Sequence, residues 1–300
     1  MNSQTDVMNY IKGGMRRTGG GVLDFWNKYK RNKIGVAGLG IIIFFTLMAM
    51  LAPVISPYNP NTINSSLYLS PPSSAHLLGT DSLGRDLLSR DFYGAQISLI
   101  VGFAAAAISV FVGLVIGLYS GYFGGWADEI LMRVTDFFLV IPTLVFMIVI
   151  AAVIGPSLVN VILVIGLLSW PSTARTIRSM VLSIKNWPFI ESAMINGGKS
   201  NYIIFRHIAP NVFPVVFANA VMSVASAIFA QASLVFLGVG DITDISWGGI
   251  IHNAFAFGAV SAGMWWYVIP PGLFIILVIL GFTMTGYSLE EMFNPKKRGF

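Results

Sequence analysis

The chain contains no cysteine, which excludes disulfide staples and thiolate-held metals. Charge is scarce as well. Only 10% of its 300 residues are Asp, Glu, Lys or Arg, against about 25% in an average soluble domain. Its three histidines, His76, His207 and His252, stand in separate segments. No H-x-x-x-H pair or acid cluster gives metal-ligand spacing, so each is read as an interfacial or hydrogen-bonding side chain. All thirteen acids fall outside the long apolar runs. Carriers driven by protons or ions place ionisable groups within the membrane, because burying them is costly unless they work. That absence disfavours an ion-driven carrier and implies that energy arrives from elsewhere.

What is present is apolar: 55% hydrophobic residues and a mean hydropathy of +0.76. A spanning helix takes about 20 such residues to cross a hydrocarbon core of roughly 30 Å. Six charge-free runs meet or approach that length, at residues 34–55, 95–119, 137–154, 158–170, 212–237 and 266–287. The fourth is short and is expected to extend past Pro171. The first 33 residues hold seven Lys/Arg and no apolar core, and the run after them has no A-x-A-like site. It is read as a retained first span, not a secretory leader. These runs predict an all-α polytopic membrane protein with six transmembrane helices. Its expected divisions are a tail at 1–33, a first span at 34–55, an extracytoplasmic segment at 56–94, a five-helix core at 95–290 and a tail at 291–300. A loop at 172–211 lies inside that core.

An even number of spans puts both termini on one side. Sixteen of the eighteen Lys/Arg fall on that side, including Arg175, Arg178, Lys185, Lys199 and Arg206 of the loop. By the positive-inside rule, the termini and the loop are cytoplasmic. The net charge of +5 is thus a topology signal, not a nucleic-acid footprint.

Three motifs suggest chemistry that their contexts do not support. Gly197, Gly198, Lys199 and Ser200 read as the end of a phosphate-binding P-loop, but Ala193 stands where its first glycine belongs. The preceding NWPFI is no buried strand either. The GVGD at Gly238–Asp241 resembles an intramembrane aspartyl protease signature, which needs two carboxylates close enough to share a proton. The membrane-adjacent acids Asp128, Glu129 and Asp136 fall at the other face, roughly a bilayer core away. Gly238 and Gly240 are read as a helix end with Asp241 in the turn. Asp81 with Arg85, and Asp86 with Arg90, stand four residues apart and are read as weak ion pairs on a capped helix.

The loop sequence ESAMINGGKSNYIIFRHIAP (Glu191–Pro210) predicts two short helices with a bend on the inner surface. Pro188 suits a first helical turn, and Glu191 suits its N-terminal dipole. Gly197-Gly198 would stop the first helix. Ser200 would cap a second over Asn201–Ile208, ending before Pro210. Small Ser192 and Ala193 leave room for another protein to pack closely.

The pattern E-S-A-x-x-x-G, with Pro210 thirteen residues after Gly197, resembles the EAA loop of ABC importer permeases. Ser192 replaces the first Ala of that pattern, and Ala209 stands where Leu is usual. Other blocks resemble the oligopeptide/dipeptide permease C-subunit family. They are HLLGTDSLGRDLLSRDFYGAQISLIVGF (His76–Phe103), FLGVG (Phe236–Gly240), ISWGGII (Ile245–Ile251), WWYVIPPGLFI (Trp265–Ile275) and the RNKIGVAGLG that follows the basic tail. The resemblance covers nearly the whole chain from about Asn32. Where the family usually has N-x-x-G-D, this chain has Thr283 to Tyr287, TMTGY.

The resemblance implies a type I ABC importer transmembrane fold and a non-catalytic role. A homologous B-type permease subunit would complete a heterodimer in the lipid bilayer. Two ATPase subunits would bind ATP and Mg on the cytoplasmic side, so this chain would carry no cofactor. An extracytoplasmic solute-binding protein would deliver peptides or, in other family members, oligosaccharides or nickel chelates. Glu191, Ser192, Ala193, Gly197, Gly198, Ile208 and Pro210 would form the ATPase-coupling segment. Asp81, Arg85, Asp86, Asp241 and Trp247 are the expected extracytoplasmic gate or docking residues. A membrane enzyme is the disfavoured alternative of another class.

Overall fold

The computed structural model describes residues 21–241 and 244–293, with side chains from residue 24. Most of the basic N-terminal tail, and Lys296, Lys297 and Arg298 of the C-terminal one, lie outside the described residues. Within them every regular element is helical. They are α1 (Gly21–Tyr29), α2 (Lys33–Ile55), α3 (Leu87–Phe123), α4 (Gly125–Val140), α5 (Thr143–Ile154), α6 (Leu158–Leu168), α7 (Trp170–Ile184), α8 (Pro188–Ile195), α9 (Ser200–Ile203), α10 (Ala209–Phe236), α11 (Trp247–Ala256) and α12 (Trp265–Phe293). A π-helical segment, Ile204–Ile208, joins α9 to α10. Five stretches are long and apolar enough to span a membrane, or six if the bent pair α4–α5 is one span.

Helix α3 is the hub. Asp86 caps it, accepting from Ser89 N at 2.8 Å, and Gly124 ends it at φ +64°. α3 packs on α2, α6, α7 and α10, while α12 closes the bundle between α2 and α10. Lipid supplies no hydrophobic drive between helices, so close backbone approach decides which pairs stay together. Gly113, Gly117 and Gly121 form such a stripe on α3. A Cβ on any of them would come within 2.7 Å of Thr173, Ala174 or Ile177, or Val181 of α7. Two ion pairs then fix α4 to α7. Arg178 holds Asp128 bidentately, with Nε–Oδ1 at 2.6 Å and Nη2–Oδ2 at 2.5 Å, and Arg175 meets Asp136 at 2.5 Å.

Four expected boundaries change. The second span begins at Leu87 rather than residue 95, because the polar SRD turn is buried at the end of the bundle and continues the helix. The third is not straight. α4 and α5 meet at 89° around Ile141–Pro142, where proline removes a helix hydrogen bond and clashes with the preceding turn. The fourth extends past Pro171 as expected, through α7 to Ile184 after a break at Ser169, so the loop expected from residue 172 begins only after Ile184. The fifth begins at Ser200, as the next subsection describes.

Candidate functional site

The segment between α7 and α10 is built on a cluster of buried isoleucines. Ile190, Ile204 and Ile208 are fully buried, and Ile203 nearly so. They pack with Leu118 and Tyr122 of α3, Ile177, Val181 and Ile184 of α7, and Val212 of α10. Lys185 Nζ donates to the Tyr122 carbonyl at 2.6 Å, which fixes the exit from α7.

α8 starts with Pro188 in its first turn and Glu191 near its positive end. It ends in a Schellman motif. Gly198 N donates to Ala193 O and Gly197 N to Met194 O, both at 3.0 Å. The two glycines serve different needs. Gly197 takes φ +77° with open space around it, whereas a Cβ on Gly198 would lie 2.8 Å from the Ala193 carbonyl. Because Ile190 faces inward, the opposite face of α8 is exposed. Glu191, Ser192 and Gly197 are on the surface, with Ala193 and Gly198 half-buried. Around them stand exposed Trp187, Phe189 and Ile195, the last 86% accessible. Trp187 was expected from the sequence as an interfacial aromatic on the inner side; Phe189 and Ile195 were not singled out.

The expected second helix, Asn201–Ile208 stopping before Pro210, is not separate. Ser200 is its first residue rather than its cap, and the helix passes through Pro210 and Pro214 to Phe236. The π segment explains this. Ala209 N bonds to Ile204 O, five residues back, and the widened turn makes room for a residue without an N–H. Asn211 Nδ2 caps the His207 carbonyl at 2.6 Å. The loop is therefore one short helix, one glycine bend and the start of a span. Ile208 is a buried anchor and Pro210 is exposed. Among the described residues Glu191, Lys199 and Arg206 form no ion pair. Lys199 precedes a helix with no strand before it, so nothing here has P-loop form.

At the opposite end, most of the expected docking residues turn out to hold the chain together. Asp81 is fully buried. It accepts from Leu83 N and Arg85 N at 2.8 and 2.9 Å and from Arg85 Nε at 2.7 Å. Arg90 Nε lies 3.6 Å from the same carboxylate, and Arg90 Nη1 donates to Pro60 O at 3.0 Å. Asp86 pairs with His76 at 2.9 Å and with Ser89, not with Arg90. The expected i,i+4 pairing of Asp86 with Arg90 is thus corrected, while His76 is a hydrogen-bonding histidine, as expected. The Asp81–Arg85 pair lies in a turn before the helix, where Gly84 at φ +70° brings the backbone against Asn64 O.

Trp247 is fully buried. Its Nε1 donates to Asp91 O at 3.0 Å, and its ring meets Phe45 and Phe274 edge-on. It is a wedge between helices and has no surface to offer. Arg85 and Asp241 are half-buried. Gly238, at φ +78°, ends α10 as expected. The acid nearest in effect to Asp241 is Asp244, whose pKa is raised by burial and then by Asp241. They share a cavity of about 10 Å³ with the buried Gln231, too small for a peptide substrate. The last turn of α11 exposes Phe255, the connection to α12 exposes Phe257 and Val260, and α12 begins with exposed Trp265.

These features form a helical transmembrane core with an exposed, preorganised short helix at one end. The family of binding-protein-dependent transport system inner membrane components matches residues 113–299. The N-terminal TM domain of oligopeptide transport permease C matches residues 23–72. The chain belongs to this permease family. It is 35% identical over 276 residues to the dipeptide transport system permease protein DppC of Bacillus subtilis (strain 168), covering 92% of this chain and 86% of the relative. With the dipeptide permease protein DppC of Alkalihalophilus pseudofirmus it shares 36% identity, over 91% and 89% of the two chains. With the oligopeptide permease protein OppC of Bacillus subtilis it shares 34%, over 90% and 88%. The permease is thus a membrane protein of the type I ABC importer fold. The buried Asp81–Arg85–Arg90 and His76–Asp86 network coincides with the LGTDSLGRD block that resembles the C-subunit family.

Proposed function

We propose that this permease forms half of the translocation pathway of an ATP-driven, binding-protein-dependent importer of peptides. The solute class rests on the relatives' names, which specify dipeptides and oligopeptides. The observation that carries the coupling role is α8. It is held from beneath by buried isoleucines and presents an acid, small residues and exposed apolar side chains. Exposed apolar side chains rimmed by polar groups mark a protein or membrane interaction surface, and the acid and small residues among them favour a protein.

On this reading, α8 seats in a cleft of an ATPase subunit on the cytoplasmic side. ATP and Mg stay on the ATPases, and this chain performs no covalent step. When ATP draws the two ATPases together, α8 moves with its cleft. Its isoleucine base transfers that motion to α3, α7 and α10, and the spans rock between inward-open and outward-open states. ATP can drive this only through contacts that differ between the states, and the exposed face of α8 supplies the contact. A homologous permease subunit completes the pathway. Arg85, Asp241 and the apolar tip at Phe255–Trp265 are offered outside to the solute-binding protein.

The test is uptake by the assembled complex in proteoliposomes. Glu191→Lys and Gly197→Asp should insert normally and leave ATP hydrolysis measurable. Uptake should fall roughly tenfold or more, as follows from losing about 1.4 kcal/mol of state-specific contact. Unimpaired uptake in both variants overturns the coupling role.

A further inference from the structure

Inside the bundle, a groove of about 240 Å³ opens between α3, the α4–α5 bend, the α6–α7 break and α10. Its lining carries no Asp, Glu, Lys or Arg. Instead it gathers hydroxyls: Ser109, Thr143, Ser169, Ser172, Ser223 and Ser226. Ser109 Oγ is buried and has no hydrogen-bond partner. Ser223 donates to Asn219 O at 2.9 Å and Ser226 to Met222 O at 3.5 Å, which leaves their oxygens free to accept. Ser109 lies about 20 Å along α3 from Phe123, and Ser223 about 20 Å along α10 from Ala209, at a rise of 1.5 Å per residue. Both helix ends pack at the α8 end of the bundle, so the hydroxyls share one level deep in the membrane.

Two helix interruptions, at Ile141–Pro142 and at Ser169, meet in this groove. At membrane depth, broken backbone is tolerated only when it is covered by protein or lines a water-filled cavity. Thr143, Ser172 and Ser226 are nevertheless exposed. A polar, broken, exposed surface at this depth does not suit acyl chains.

We propose that this groove is the permease's solute-contacting wall and that its hydroxyls hydrogen-bond the backbone amides of the passing peptide. The assignment rests on the transport reading above and specifies its recognition chemistry. A hydroxyl both donates and accepts, as a peptide backbone requires at alternating N–H and C=O groups. A wall without charge neither selects nor repels particular side chains. The groove thus reads what all peptides share.

The absence of cysteine makes the test direct. In the complete importer in nanodiscs, Ser172→Cys and Ser226→Cys are treated with a membrane-impermeant biotinylated methanethiosulfonate, and labelling is read at the mass of this chain. Phe111→Cys is the control. It is 67% exposed and turned about 200° from Ser109 on α3. The groove positions should label about tenfold faster than the control or more, because only hydrated thiols ionise. Added peptide should slow them, and Ser109→Ala should raise KM for uptake more than it lowers kcat. Labelling no faster than at Phe111→Cys overturns the proposal and identifies a seam against lipid or the partner subunit. Fast labelling that peptide does not slow, with KM unchanged, overturns backbone recognition. A complex that takes up no peptide would instead refute the transport reading, while the labelling rates would still report whether the groove is hydrated.

Discussion

The two ends of the bundle treat charge in opposite ways. At the α3 N-terminus, Asp81, Asp86 and Arg90 are buried; Asp81 holds Arg85 and Arg90, Asp86 holds His76 and Ser89, and Arg90 also reaches the Pro60 carbonyl. At the α8 end, Glu191, Lys199 and Arg206 are exposed and form no ion pair among the described residues, with Trp187, Phe189 and Ile195 beside them. One end buries Asp81, Asp86 and Arg90 and gives each a partner within this chain, although the carboxylate of buried Asp91 beside them has none. The other presents groups that this chain does not use. The difference separates a structural block from the surface proposed above for docking, although both look like conspicuous polar motifs in the sequence.

The sharpest way to break this contrast is at the buried end. Asp81→Asn leaves Arg85 and Arg90 without their shared carboxylate, and removing one partner of a buried pair costs about 3–5 kcal/mol. Thermal unfolding of the detergent-solubilised chain should show that loss, and a small shift would mean the block is not self-contained. Next comes the helix seam joining the two ends. Gly117→Val would drive a Cβ to 2.7 Å from Ala174 O and Ile177 and should cost about 1–3 kcal/mol by overpacking. It should impair α3–α7 packing without touching either polar end.

At the exposed end the effects should be smaller. Gly197→Ala has open space but a left-handed φ, so about 1–2 kcal/mol is expected from conformation alone, read in the same melt. Glu191→Lys should leave stability within about 0.5 kcal/mol, even though it is the variant expected to disconnect hydrolysis from uptake. A large stability loss at Glu191 would erase the distinction.

Much of the fold was legible. The apolar runs located the long helices, and Gly197-Gly198 marked the bend because only glycine fits a Schellman end with a backbone contact. Other features depended on partners distant in sequence. That Asp86 belongs to His76 rather than Arg90, or that Trp247 seals against Asp91, follows from how α3 meets the segment before it and α11. The 89° bend did have a local signal, Pro142 within an otherwise unbroken run. Pro210 shows the opposite case. A rule that stops helices before proline fails where a π turn supplies the missing room. The short helix before the glycine bend was readable by pattern, but the exposed apolar side chains around it follow from Ile190 facing inward.

The glycine stripe at residues 113, 117 and 121 has a mechanical consequence. Where two rods touch nearly backbone to backbone, no compressible layer of side chains lies between them to soak up displacement. A push at Ile184 therefore reaches the centre of α3 with little backlash, and α3 with α7 behaves as a single stiff member of the machine.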